Sequence, residues 1–219
     1  FFAGLVDAEN FKVNGGQGSD GQVLTSTGSG VAFEDAGGGP TFKEGGTNFT
    51  NSLMVGDDAT GTLDNAQKNT ALGIDVFAAL TTGDNNVAVG FEALKANTTG
   101  SGNTSLGGSS LVANTTGASN VAVGTDTMGS NTEGATNTAV GLSALYANTT
   151  GSDNIAIGHD SLRFNTTADN NTAVGKKAMY ANTTGTRNTA LGEQALTGVT
   201  TTSDNTAIGY RAMTVAGAE

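Results

Sequence analysis

A pentapeptide frame begins at Asn69, Asn86, Asn103, Asn120, Asn137, Asn154, Asn171, Asn188 and Asn205, each start 17 residues after the last. It reads Asn, then a β-branched residue, a small residue, an aliphatic residue and Gly, and no residue is inserted or lost from Asn69 to Glu219. A repeat this short cannot bury its own apolar face, so the period predicts a solenoid in which every repeat is one coil stacked on its neighbours. The same regularity decides a question that composition leaves open. With 34 Gly, 36% apolar and 13% charged residues, the chain has little to bury against its ordering entropy and would suit disorder. Pairing of the backbone above and below along the whole length supplies the missing stabilisation.

Numbering each repeat from its Asn as column 1 sorts the chemistry. Column 2 is Thr, Val or Ile, column 3 is Ala except for Ser105, and column 4 is Val, Leu or Ile. Period-2 alternation predicts a strand with columns 2 and 4 facing the core and the small residues on the other face. Column 9 holds Phe77, Leu94, Leu111, Met128, Leu145, Leu162, Met179, Leu196 and Met213 beside a small column 8, which predicts a second strand over columns 8 to 11. The expectation is an all-β fold: a parallel β-solenoid, or β-roll, of two stacked sheets whose core is columns 2, 4 and 9.

Column 5 is Gly in all nine repeats, and column 15 is usually Gly, which marks turns that need positive φ or close approach of backbone. Asn at column 1, and often at column 12, is expected to shape turns, tolerate the left-handed region and hydrogen-bond to the next coil. From Asn69 onward the basic residues Lys95, Arg163, Lys176, Lys177, Arg187 and Arg211 occupy columns 6, 7, 10 and 17, and most acids share columns 6, 7, 16 and 17. Charge confined to fixed columns marks the solvent face, because burying an unpaired charge costs several kcal/mol. At about 4.8 Å per coil, nine coils make a rod on the order of 43 Å long.

Residues 1–40 lack the period and read as a β-hairpin or attachment module. Phe11-Lys12-Val13 and Gln22-Val23-Leu24-Thr25 are expected strands, and Ser26–Gly30 is a turn leading to Val31-Ala32-Phe33. Gly37-Gly38-Gly39-Pro40 punctuates the chain. Residues 41–68 form a junction with a degenerate opening coil at Ser52–Gly56, and residues 69–219 form nine coils. The chain opens on Phe1-Phe2 without Met, and Val215–Glu219 leaves the repeat without a polar cap, so further polypeptide is expected on both sides.

Charge narrows the function classes. A net charge of −11 with nine Lys and Arg argues against a nucleic-acid partner, which needs a basic face. No apolar run approaches the roughly 20 residues of a membrane-spanning helix, so membrane insertion is not expected. There is no Cys to form a disulfide.

Candidate chemistry is sparse. His159-Asp160-Ser161 names the parts of a catalytic triad, but consecutive residues do not converge on one point. A single His with scattered carboxylates makes no metal set, and neither a metal nor a cofactor is expected. Asp75 and Glu92 lie in adjacent coils and resemble a glycosidase pair, yet a solenoid without insertions offers no loops for a cleft. The expectation is therefore that the chain is not an enzyme. Five Asn-Thr-Thr sequons, at Asn97, Asn114, Asn148, Asn165 and Asn182, recur with the coil and read as turn ladders. Stacked Thr in columns 13 and 14 offers a minor reading as a flat ice-binding face. In column 10, Tyr146, Arg163 and Tyr180 occupy successive coils and form the candidate contact for a glycan or receptor; the plainer reading is a shielding strip.

Asn120-Val121-Ala122-Val123-Gly124 and Asn154-Ile155-Ala156-Ile157-Gly158 resemble the short repeats in the head domains of trimeric autotransporter adhesins. The longer unit from Asn137 to Gly151 resembles repeats of bacteriophage tail fibres and related virion fibres, as does Phe11–Gly30. The resemblance implies a homotrimer, an extracellular location at the virion surface, and a structural shaft involved in host attachment. Other tail or fibre proteins would be partners through the N-terminal module, and a host glycan or receptor would lie at the far end. A bacterial surface adhesin head is the alternative, at the cell surface, followed by a tailspike-type polysaccharide hydrolase. Burial of the small column faces between chains is the expected trimer contact, since a coil with one large core column is thin.

Overall fold

The structure, a computed structural model, describes residues 65–214 continuously and, ahead of them, the strand segments 22–26, 31–35, 41–44, 49–50 and 53–56. The described residues are all-β with no helix. They build a parallel β-solenoid of about eight turns, with 17 residues to the turn. Each turn contributes one three- or four-residue strand: β7 (Thr70–Gly73), β8 (Val87–Val89), β9 (Thr104–Leu106), β10 (Val121–Val123), β11 (Thr138–Val140), β12 (Ile155–Ile157), β13 (Thr172–Val174), β14 (Thr189–Leu191) and β15 (Thr206–Ile208). These pair parallel and in column register, so that Ala122 lies beside Ala139 and Ala139 beside Ala156.

At the N-terminal end, β5 (Leu53–Gly56) pairs parallel with β7, Gly56 opposite Gly73, which puts the opening coil in the 17-residue register. β3 (Thr41–Glu44) then pairs antiparallel with β5 and ends the 11-stranded sheet. A strand laid in the opposite direction breaks the template that an exposed edge would offer to another chain. β1 (Gln22–Ser26) and β2 (Val31–Asp35) pair antiparallel with Ser26 opposite Val31, and β4 (Phe49–Thr50) pairs with β6 (Ala66–Gln67). Phe11-Lys12-Val13, the expected turn at 27–30, the Gly37–Pro40 junction and residues 215–219 lie outside the described residues.

Two expectations are corrected. Column 3, not columns 2 and 4, faces the core. Ala88, Ala122, Ala139, Ala156, Ala173 and Ala190 are fully buried, whereas Leu72, Val87, Leu106, Ile155, Ile157 and Leu191 are exposed. The reason is volume. Column 9 sends its Leu, Met or Phe across the narrow coil from the other side, and all of them from Phe77 to Leu196 are fully buried, which leaves room opposite only for a methyl group. Columns 8 and 9 are also both buried, as in Ala144 and Leu145, which a strand does not permit because its successive side chains point to opposite faces.

The expected second strand is therefore absent from the described coils, and a ladder of turns stands in its place. Columns 7 and 9 adopt positive φ in every described coil, for example Asp160 at 57° and Leu162 at 51°. In the Gly158–Ser161 turn the Ser161 N–H donates to the Gly158 carbonyl at 3.1 Å, and Asp160 occupies the third position, where a type II turn needs positive φ. Left-handed backbone costs a Leu roughly 1–2 kcal/mol. Burying its side chain returns about 1.5–3 kcal/mol, so the column 9 residue is retained in spite of the strain. The turn backbone also stays bonded between coils. Gly158 and Asp160 donate backward to Val140 and Leu142, and Leu162 donates forward to Ala178, at 2.7, 3.0 and 2.9 Å.

Gly at column 5 is demanded twice over. Gly158 has φ +126°, and a Cβ there would sit 2.7 Å from the carbonyl carbon of Gly175 in the next coil. No L side chain fits that contact.

The coils are locked by two buried ladders of asparagine. In column 1, Asn137 Oδ1 accepts from the Asn154 backbone N–H at 3.0 Å and from its Nδ2 at 3.1 Å, while Asn154 Nδ2 also reaches the Ala168 carbonyl at 2.8 Å. In column 12, Asn131 Nδ2 donates to Asn114 Oδ1 at 2.7 Å and to the Gly134 carbonyl at 3.0 Å, and Asn148 Nδ2 donates to Asn131 Oδ1 at 2.8 Å. Each rung thus closes its own coil and clamps the one beside it. Neither column uses left-handed backbone, so the structure assigns these Asn residues to hydrogen bonding alone.

The column 12 ladder runs from Asn97 to Asn182 between Leu80 and Val199. Because Val199 cannot donate, Asn182 Oδ1 is left buried without a partner. Asn131→Ala strands the Asn114 acceptor and removes one acceptor of Asn148, and is expected to cost about 2–4 kcal/mol. Asn182→Ala removes an acceptor that is already orphaned, and should cost about 1 kcal/mol less. Urea midpoints of the two variants, compared at equal protein concentration, check this order.

Candidate binding surface

The column 10 residues lie together on one outer edge of the rod. Tyr146 leans over the preceding coil at Gly129, where an added Cβ would meet the ring at 2.9 Å; a small residue in one coil makes room for the aromatic of the next. The Arg163 guanidinium carbon stands 5.4 Å from the Tyr146 ring centroid and 5.8 Å from that of Phe164. Phe164 meets Tyr180 edge to face at 5.0 Å, and the Lys177 ammonium lies 5.3 Å from the Tyr180 centroid. Tyr146, Arg163 and Tyr180 thus form one surface, as the spacing suggested. What holds it was not foreseen.

Arg163 is positioned by Asp160, whose carboxylate accepts from Nη1. The Asp160 side chain is only 8% exposed and Arg163 31%, so the pair is sheltered by the rings above it. That hydrogen bond holds the guanidinium above its ordinary pKa, against some desolvation. His159 Nε2 lies 3.3 Å from the other carboxylate oxygen.

Phe164 and the Asp160–Arg163 bond were missed in the sequence, though a signal was present. From Ala79 to Gly198 column 11 is otherwise Ala, Ser or Gly (Ala147, Ser130, Ala181, Gly198), and Phe164 is its one large residue there. Contact between columns 7 and 10 was not legible, because it depends on the positive φ of columns 7 and 9 folding them back together.

The other candidates resolve into structural roles. Ser161 is buried and donates to the Ala173 carbonyl at 2.9 Å, away from His159, so His159-Asp160-Ser161 does not form a triad. Lys95 Nζ lies 2.7 Å from Glu92 and 2.9 Å from Asp75 and bridges the two carboxylates. Those contacts, Glu92 first, raise the lysine pKa. All five sequon asparagines are fully buried with their amides engaged in the column 12 ladder, which withholds them from a glycosyl donor in the folded chain. Column 13 hydroxyls are likewise spent, as Thr149 Oγ1 on the Thr166 carbonyl at 3.1 Å, so an ice-binding face would retain only column 14. No group of three or more His, Cys, Asp or Glu among the described residues is placed to hold a metal ion.

A second surface was not anticipated at all. Columns 2 and 4 line the outer face of the parallel sheet with aliphatic and Thr side chains and no charge, from Leu53 to Ile208. Ile74, Phe91 and Leu142 in column 6 extend it along one flank, each about half exposed.

Comparison of the chain with protein-family models, with curated proteins and with solved structures finds no match in any of the three. The fold itself is that of a β-solenoid repeat protein.

Breaking the Asp160–Arg163 bond tests whether the surface is built or incidental. Arg163→Ala leaves a nearly buried carboxylate with only His159 near it and is expected to cost about 2 kcal/mol, less than the roughly 3–5 kcal/mol of a fully buried pair because Arg163 is partly exposed. Arg163→Ala with Asp160→Asn should recover most of that loss. Arg187→Ala, which opens the exposed Arg187–Asp204 pair, should leave the thermal midpoint unchanged.

Proposed function

We propose that this chain is a section of the shaft of a homotrimeric, virion-associated fibre that carries an attachment tip away from the particle. The observation that carries the reading is the bare apolar face of columns 2 and 4. Parallel sheets are almost always covered on both faces, and here one face is packed on the coil interior while the other is open. A continuous uncharged stripe of this kind marks an association surface. A second copy of the same chain fits it, because the stripe repeats every 17 residues and any identical chain set alongside in register matches it rung for rung.

Charge favours the same arrangement. Chains that each carry −11 repel one another, and columns 2 and 4 are where they approach without juxtaposing like charges. The trimer contact is thus assigned to the β-branched columns, not to the small column expected from the sequence, since the small column is the core.

A stiff rod of stacked coils acts as a spacer, and three parallel copies present any weak surface site three times. The pentapeptide frame also supports a bacterial adhesin head, which shares the rod and the trimer but stands on a cell. A polysaccharide hydrolase has less support, because Lys95 bridges the carboxylates that would serve it.

Sedimentation of the purified chain should give a trimer, and electron microscopy should show straight unbranched rods. Ile157→Glu places a charge on each chain at the axis and should give monomers with unchanged β-sheet circular dichroism; a monomeric parent chain, or an unaffected variant, would remove the trimer. Antibody to the repeat should label virion tails, whereas label confined to bacterial surfaces would select the adhesin.

A further inference from the structure

The edge that carries Tyr146 and Phe164 differs in charge from the rest of the rod. The chain holds 20 acidic and nine basic Lys and Arg residues. Among the other described cations, Lys95 is spent on Glu92 and Asp75 and Arg187 on Asp204, while Arg211 bonds Gln194 and Lys68 is in no ion pair. Lys176 and Lys177 are two unpaired cations adjacent in the chain. Among the described residues neither is in an ion pair, although Glu193 follows Lys176 in the same column one coil later and Asp160 precedes Lys177. Asp160 is held by Arg163 instead. Lys177 therefore stands unpaired against the Tyr180 ring of the aromatic platform, and Lys176, also outside any ion pair, is its neighbour in the chain.

The platform itself is exposed and ordered. Tyr146 and Phe164 are 37% and 43% exposed, and the Asp160-bound guanidinium of Arg163 fixes the gap between them. Tyr146 and Tyr180 are two coils apart, about 9.6 Å at the spacing of a β-ladder, which is the scale of a disaccharide. Aromatic faces of this kind receive the C–H faces of sugar rings, and lysine ammonium groups receive carboxylates as point charges.

We infer that Tyr146, Phe164, Lys176, Lys177 and Tyr180 bind an acidic glycan, with the sugar faces on the rings and a sugar carboxylate on the lysine pair. Arg163 is a positioning residue, occupied by Asp160 and the rings. A long polyanion such as nucleic acid is disfavoured, because beyond this patch it would run along an acidic rod. The inference rests on the reading of the rod as part of an attachment fibre, and it deepens that reading by naming the class of surface molecule held.

The test uses the full chain and two probes of equal length, an oligosaccharide of galacturonic acid and a neutral galacto-oligosaccharide, followed by calorimetry at low and high salt. The acidic probe should bind at least about tenfold more tightly, and the preference should shrink as salt screens the lysines. Lys176→Gln with Lys177→Gln should abolish the preference while sparing weak binding of both sugars, and Phe164→Ala should weaken both. Sedimentation of the variants should match the parent, which separates failure of this site from failure of the fibre assembly. Equal affinity for the two probes, binding of neither, or a preference that survives loss of both lysines would overturn the inference.

Discussion

Each coil is tied to the next by asparagine amides buried in its interior, and the rest of the molecule is arranged around them. An amide buried without partners costs a few kcal/mol, and Asn137, Asn154 and their equivalents stay inside by bonding the amide of a neighbouring coil and a carbonyl of their own. That condition forbids insertions, which is why the repeat is strict. It also fixes the cross-section. With asparagine at two of the inward columns, the remaining volume is shared between one large side chain at column 9 and small side chains at columns 3 and 8. The interior is thus partly polar and bonded from coil to coil, except at Asn182 Oδ1 where the column 12 ladder ends, and such a network adds rigidity.

This interior leaves the molecule with more apolar surface than it can enclose. β-branched residues suit a pleated strand, but the coil has no room for them, so they lie outside on columns 2 and 4. The chain is therefore a solenoid with its own core and, in addition, one side of another. Stability within the coil and association between coils are carried by opposite faces of the same three-residue strand. The outer edge at columns 7, 10 and 11 is under neither demand, and it is there that departures from the repeat collect: Tyr146, Phe164, the Asp160–Arg163 bond and the unpaired Lys177, with Lys176 before it in column 6.

Much of this was legible in the sequence, and the misreadings are instructive. The coil length, the parallel stacking, the column 9 core and the turn Gly at column 5 all follow from the period and from residue types with narrow tolerances. The adjacency of Tyr146, Arg163 and Tyr180 followed from column register alone. The facing of columns 2 to 4 did not, because a strand of three residues with Ala between two aliphatics is apolar on both sides, and size alone favoured the wrong one. Columns 8 to 11 read as a strand because small and large residues alternate there, whereas the alternation comes from a backbone that switches hand at columns 7 and 9.

By itself, then, the sequence determined that the repeats from Asn69 onward stack as 17-residue coils, since only a stacked neighbour satisfies a repeat too short to bury itself. It also marked the turn at the column 5 Gly, though not the turns at columns 7 and 9. The tertiary structure alone decided which side of the strand is inside. That choice depends on the volume left by Leu145 and its equivalents across the coil and on the two asparagine ladders that fill the rest, and neither quantity is a property of any one repeat read along the chain.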